Sequence, residues 1–424
     1  MAPALRATLV VRRARVATCE GAVNDPCLRD DHAVAVEDGR VRWIGPDPVL
    51  ASSVDVSGAR VVDAGGRLVT PGLVDFHTHL VFGDDGSRAE EFAALAAGRS
   101  YAGIARAGGG IRATMRATRA ASDAELLRSA RIRARRLLAW GVTTLEVKSG
   151  YGESVEEELR LLRVIRELGR AAAGEQDVVA TALPLHALPS GRDREDWIRE
   201  VVAVLLPAVA REGLARSCDA FVATTAFSVD EARRVLSVAR GLGLLPRLHA
   251  DQLSDDRAAL LAAEVGAASA DHLEHVGDAG IAALAGAGVV AGLLPTSTLL
   301  LRGRAWAPGR RLVEGGVAVA LGSNANPGSA MSENLGLALS LSCLENGLTP
   351  GEAIWAATRG GARALRLPDA GRLAAGAPAD LVLWGATSPA HLCWHAAVSH
   401  ALLVVKGGRV VHEAAEPAAA DCAG

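Results

Sequence analysis

The chain has 424 residues, half of them hydrophobic, with 46 Gly and only 3% aromatics, a globular composition that excludes a disordered chain and leaves room for more than one structural unit. With 45 basic and 48 acidic residues the formal charge is −3, so no basic excess points to nucleic acid or to an anionic membrane. The six cysteines form no C-x-x-C pair and read as reduced, structural thiols of a cytoplasmic protein.

The opening stretch "MAPALRATLVVRRARVATCE" is broken by Arg6, Arg12, Arg13 and Arg15, which leaves no apolar core for a secretory signal. Residues 1–67 alternate short β-like runs such as "ATLVVRRARVAT" and "HAVAVEDGRVRWIG" with Gly/Asp turns, the pattern of a small sheet. From residue 68 to 367 the period changes to strand then helix. Strands are predicted at Leu73–His79, Thr143–Lys148, Val179–His186, Ala220–Ala223, Leu245–His249, Ala268–His272, Val289–Leu294 and Ala318–Ser323. Eight strands separated by helices are the count for a closed parallel (β/α)8 barrel of the TIM type, an α/β fold.

After the second strand, "SVEEELRLLRVIRELG" predicts a helix with a capping box from Ser154 to Glu157 and an apolar face of Leu161, Leu162, Ile165 and Leu168. The segment Gly280–Leu301 carries no charge. Gly286, Gly288, Gly292 and Pro295 divide it into helix, strand and loop, so a buried barrel unit is expected rather than a membrane span. Residues 368–424 return to the β idiom in "GRLAAGAPADLVLWG" and "HALLVVKGGRVVHE" and end in an Ala-rich tail after Glu413. The two β-rich ends are expected to meet in one composite β-domain beside the barrel.

The polar residues stand at strand ends. "GLVDFHTHLVFG" places His77 and His79 two apart, hence on one strand face. "PRLHADQ" ends another strand with His249 and "ASADHLEH" the next with His272. Such histidines can be ordinary core residues, but catalytic groups of this fold gather at the C-terminal rim of the strands. Neutral imidazoles there suit a divalent metal such as zinc or iron.

Over nearly its full length the chain resembles the amidohydrolase superfamily, through "PGLVDFHTH", "LHAD", "DHLEH" and "GRLAAGAPADLVLW". Within it the chain is similar to the imidazolonepropionase family, through "SRAEEF", "AGGGIRATMRATRAAS", "GVTTLEVKSGYG" and "NPGS". The resemblance implies a barrel with a composite β-domain, one divalent metal per chain (Zn2+ or Fe2+/Fe3+), and hydrolysis of 4-imidazolone-5-propanoate to N-formimidoyl-L-glutamate in histidine degradation. It assigns the metal to His77, His79 and His249 with a fourth contact at Asn324. Substrate contacts fall on Arg88, Tyr151, His186, Gln252, His272, Asn326, Gly328 and Ser329.

Chemistry supports several of these roles and leaves alternatives beside them. Arg88 offers a planar fork for a carboxylate tail, or is a solvated loop residue. Tyr151 contacts substrate or only packs. The "NPGS" backbone is expected to form an anion-binding concavity. His186 and His272 are expected to donate to the ring carbonyl or its oxyanion, or are structural hydrogen-bonders. The expected partner is thus a small acid-tailed substrate, with no nucleic acid and no membrane, and a homodimer is an admissible assembly.

Two stretches depart from the family pattern. "DAFVA", Asp219 to Ala223, stands where the pattern reads "DVFCE" and is taken as a change of local packing. Asn324 stands where "ATDFNPGS" has Asp, a residue expected both to touch the metal and to take a proton. An amide oxygen can approach a cation but cannot act as a base. The alternatives are therefore an impaired hydrolase, an amidohydrolase for another cyclic amide, and a catalytically silent ligand-binding homologue.

Overall fold

The computed structural model of the protein describes residues 5–99, 103 and 108–414; the Ala-rich tail predicted after Glu413 lies almost wholly outside them. Short apolar runs form the eight strands of the barrel: β1 (Leu73–Asp75), β2 (Val142–Lys148), β3 (Asp177–Leu185), β4 (Ser217–Phe221), β5 (Leu245–Ala250), β6 (Ser269–His272), β7 (Val290–Leu293) and β8 (Val319–Leu321). Every residue of β1, β2, β6, β7 and β8 is buried, as strands covered on both faces require. They pair in parallel in sequence order from β1 to β8.

The barrel closes just beyond the strand ends. Asn324 N–H donates to the His77 carbonyl at 3.1 Å, and His79 N–H donates to the Ala325 carbonyl at 2.9 Å. Ser323 adds its N–H and Oγ to the Asp75 carboxylate at 3.0 and 2.5 Å. The predicted first strand therefore leaves the ladder at Asp75, and His77 and His79 stand on the extended run that forms this seam.

The helix Val155–Ala171 buries Leu161, Leu162, Ile165 and Leu168 as predicted. Its capping box is only half formed. Ser154 Oγ accepts from Glu157 N–H at 3.2 Å, but the Glu157 carboxylate turns to Arg160 at 3.0 Å. The uncharged segment resolves into the helix Asp278–Ala287, β7 and the helix Pro295–Leu300. Among the described residues no helix is long and apolar enough to cross a membrane.

Strands from both ends of the chain share a second sheet. Leu68–Pro71 pairs in parallel with Leu9–Ala17 and antiparallel with Leu381–Trp384. Leu28–Glu37 and Arg40–Pro46 extend one side, while Ala401–Lys406 and Arg409–Glu413 extend the other. Val11, Val16, Val34, Val69, Leu381 and Val405 fill its core, each full burial of such a side chain contributing about 1.5–3 kcal/mol. The C-terminal part is not purely β: the helix Pro389–Trp394, capped by Ser388 Oγ on His391 N–H, interrupts it.

Candidate metal centre and active site

His77 is fully buried, and its Nδ1 lies 2.7 Å from Asp271 Oδ2. A carboxylate can only accept here, so Nδ1 carries the proton and Nε2 keeps its lone pair. That Nε2 is buried without any hydrogen-bond partner. The same Asp271 oxygen accepts from Arg247 Nη2 at 2.9 Å, and Arg247 is itself completely buried.

His249 repeats the arrangement. Its Nδ1 lies 3.1 Å from Asp219 Oδ1, and Asp219 Oδ2 accepts from Lys148 Nζ at 2.8 Å. Lys148 also donates to Glu146 at 2.7 Å. Burial opposes a charge on Asp219, but Lys148 and His249 outweigh it and hold its pKa well below the ordinary carboxylate value. Asp219 is thus more than the packing residue that "DAFVA" suggested: Ala220, Val222 and Ala223 pack, whereas Asp219 orients a histidine.

His79 and His272 complete the group. The ring centroid of His79 lies 5.4 Å from His77 and 5.7 Å from His249, and its Nδ1 is buried without a partner. Ring nitrogens of His77, His249 and His272 come within 4.8 Å of one another. His272 sits in left-handed backbone (φ 82) with Nδ1 3.4 Å from Glu274 Oε1. The structure therefore brings all four expected histidines together, and the tightest trio takes in His272 and not His79. Burial first, then Lys148 for His77 and His186 for His79, keeps both pKa values well below the usual imidazole range. Burial likewise lowers His249, against the pull of Asp219.

Neutral imidazoles with Nε2 free and Nδ1 fixed on a carboxylate fit a divalent metal. The two orphaned nitrogens support the same fit, because a buried polar atom without a partner costs about 1–3 kcal/mol.

His186 stands beside this group, stacked on His79 at 5.1 Å between centroids. Its Nδ1 lies 3.1 Å from the Gly150 carbonyl, which can only accept, so Nδ1 is the protonated nitrogen. Burial, then His249, pushes its pKa down to about 3. The neutral ring consequently offers a lone pair at Nε2, which accepts and does not donate. Donation from Nε2 to an oxyanion, the role expected for His186, would need the other tautomer or a protonated ring. Gly150 is needed for this approach: at φ +110 its Cβ would lie 2.9 Å from His186 Nδ1.

Tyr151 places a phenol beside His186. It is buried, its ring 5.3 Å from His186 and 6.0 Å from His79, and burial pushes the phenol pKa up, so the O–H stays protonated. Glu158 fixes the loop that carries it, accepting from Gly150 N–H at 3.0 Å and Gly152 N–H at 2.6 Å.

The loop after β8 is closed by its own side chains. Asn326 Oδ1 accepts from the N–H groups of Gly328 and Ser329, each at 2.8 Å. Those are donors of the expected anion-binding concavity, and here they are already spent. Asn326 Nδ2 donates to the Asn324 carbonyl at 2.7 Å, to Asn324 Oδ1 at 3.1 Å and to Ser329 Oγ at 2.9 Å. Asn324 is buried at φ 53, a left-handed position that Asn tolerates better than most residues. Arg88 reaches the same loop, with Nε 3.2 Å from the Pro327 carbonyl, and its Nη1 pairs with Glu91. Gln252 is half-buried two residues past β5.

Comparison with known proteins places this geometry. The pattern of the amidohydrolase family matches residues 68–411. Imidazolonepropionase of Anaeromyxobacter dehalogenans (strain 2CP-1 / ATCC BAA-258) is 60% identical, over 98% of this chain and 99% of its own. The protein of the same name from Myxococcus xanthus (strain DK1622) is 55% identical over 90% of both. The chain belongs to the imidazolonepropionase family of amidohydrolases. A 5-methylcytosine deaminase from Klebsiella pneumoniae, liganded with phosphonocytosine, shares the fold at 18% identity, with a TM-score of 0.75 and coverage of 97% and 99%.

The residues that orient the imidazolonepropionase-family histidines were not among the sequence candidates. Asp271 sits inside the quoted "DHLEH" and Lys148 inside "GVTTLEVKSGYG", but neither motif reveals that its side chain points to a histidine 194 residues away or to an aspartate 71 residues away.

Proposed function

We propose that this chain hydrolyses the ring amide of 4-imidazolone-5-propanoate to N-formimidoyl-L-glutamate. The observation that carries the reading is the histidine cluster at the strand C-termini of a chain matching relatives named imidazolonepropionase from end to end. One water adds across the ring C–N bond: its oxygen joins the carbonyl carbon, the nitrogen leaves with one proton, and the new carboxyl group releases the other.

His77, His79 and His249 would hold one divalent ion, zinc or iron. Such an ion polarises a carbonyl and brings the pKa of a water near 7. Asp271 and Asp219 keep His77 and His249 in the tautomer that exposes Nε2. Tyr151 O–H donates to the carbonyl oxygen, and His186 Nε2 accepts a ring N–H. Asn324 cannot carry a proton, so transfer to the departing nitrogen falls to His272, whose Nδ1 faces Glu274. Arg88 binds the propionate in competition with Glu91. The described cysteines, all unpaired, support a cytoplasmic setting.

Zinc- or iron-loaded protein incubated with freshly generated substrate should yield N-formimidoyl-L-glutamate by mass spectrometry. Hydrolysis of other lactams in preference to the imidazolone would overturn the substrate. A second reading rests on Asn324: a homologue that binds the ligand without turning it over. Tight product binding with no turnover by the parent or by Asn324→Asp would establish that reading instead.

A further inference from the structure

The segment "HLCWHAAVSH" builds a second group of three imidazoles, remote in sequence from the barrel histidines. His391 lies on the helix Pro389–Trp394, His395 caps its C-terminus, and His400 precedes the strand Ala401–Lys406. Ring nitrogens of the three come within 4.8 Å of one another. Their ring centroids are 5.3 Å apart for His391 and His400, and 4.8 Å for His395 and His400. We propose that His391, His395 and His400 form a second metal site, for a single divalent ion of the zinc or copper class.

Three features argue that the group is built to hold a ligand. First, His400 Nε2 is buried without a hydrogen-bond partner, although its ring is flanked by two others. Second, each backbone is pinned where it must be. Ser388 Oγ accepts from His391 N–H at 3.3 Å, His395 N–H donates to the His391 carbonyl at 3.1 Å, and Gly385 N–H donates to the His400 carbonyl at 2.7 Å. Third, the spacing from 391 to 395 places two imidazoles one helical turn apart on one face, and the chain then turns back through Ala397, at φ 63, to bring in the third.

Imidazole donors select zinc, copper, nickel or cobalt over calcium and magnesium, and three protein ligands leave room for a fourth. His395 is exposed and the other two are half-buried, so that fourth position faces solvent. The ion would clamp the loop His395–Ser399 between helix and strand. Ser399 Oγ donates to the Ala139 carbonyl at 2.7 Å, which ties the clamped loop to the barrel.

Metal counting tests the site independently of activity. After exposure to zinc and gel filtration, the full chain should retain two ions. His395→Ala, a change at an exposed side chain, should lose one, and His249→Ala should lose the other. Copper added to His249→Ala protein should show electron paramagnetic splitting from imidazole nitrogens. It should also quench Trp394, whose ring centroid lies 6.2 Å from His391 and 6.0 Å from His395. A metal count that His395→Ala leaves unchanged, with copper quenching that survives it, would overturn the proposal.

Discussion

Asp271 Oδ2 lies 2.7 Å from His77 Nδ1 and takes a second hydrogen bond from Arg247. Asp219 stands in the same relation to His249 and Lys148. His77 and His249 thus each have their own buried carboxylate, and each of those carboxylates its own buried cation. With Glu146 counted, three carboxylates face two cations in the barrel interior. The surplus negative charge lies behind the histidines and would offset part of the charge of a bound metal, a contribution that Asn324 does not make.

Asp271→Asn should weaken metal affinity about 10–100-fold, the usual effect of removing a partner behind a metal-ligating histidine. Competition with a chelator measures it. Unchanged affinity would mean that the carboxylate does not fix the His77 ring.

Asp219 sets an acid limit to stability. Its folded pKa lies below the ordinary value of about 3.9. The stabilisation is therefore complete above that value and is lost as the pH falls through the folded one. Asp219→Asn should cost about 3–5 kcal/mol at neutral pH by leaving Lys148 half-paired, and should flatten the decline of stability below pH 4. Urea unfolding at a series of pH values reads both effects.

Burial, then His249, pushes the His186 pKa down to about 3, so the ring is neutral near pH 7. Removing it should raise KM without deleting a limb from the pH–rate profile between pH 5 and 9. A limb that vanishes in His186→Gln would show that the ring does carry the proton.

Asn324→Asp substitutes a carboxylate of nearly the same shape; Asn326 Nδ2 is already placed to donate to it, and Ser329 Oγ, which now accepts from Asn324 Nδ2 at 3.5 Å, can turn its proton toward it. If the missing base limits turnover, kcat should rise about 10²–10⁴-fold, with a smaller change in KM and a new acid limb in the profile. A kcat within a few-fold of the parent means that His272 or another group already moves the proton.

Arg88 divides its guanidinium between loop carbonyls and Glu91. Arg88→Ala should weaken binding of acid-tailed ligands by about 1.5–3 kcal/mol, whereas Glu91→Gln should tighten it by releasing a donor. Equal effects on neutral and acid-tailed ligands would remove Arg88 from the tail site.

The barrel was readable because β-strand runs and helical periods alternate plainly, and His77, His79, His249 and His272 fall where that alternation puts strand ends. The hydrogen-bonding state of those residues was not readable. Whether His186 donates or accepts is decided by the Gly150 carbonyl, and the free donors of "NPGS" are decided by Asn326 folding back on its own loop. The histidines at 391, 395 and 400 escaped notice because the region reads as β, and the short helix that gathers them has too few residues to show a period.

The pairing of Leu68–Pro71 with Leu381–Trp384 also bears on how the chain is made. Its two partners are separated by about 310 residues, so at elongation rates of about 5–20 residues per second the early strand waits roughly 15–60 s on the ribosome for the late one. During that interval one edge of the N-terminal sheet is an open template for other nascent chains. Chaperone dependence during synthesis, and recovery from denaturant that falls with protein concentration, are what a sheet completed last should show.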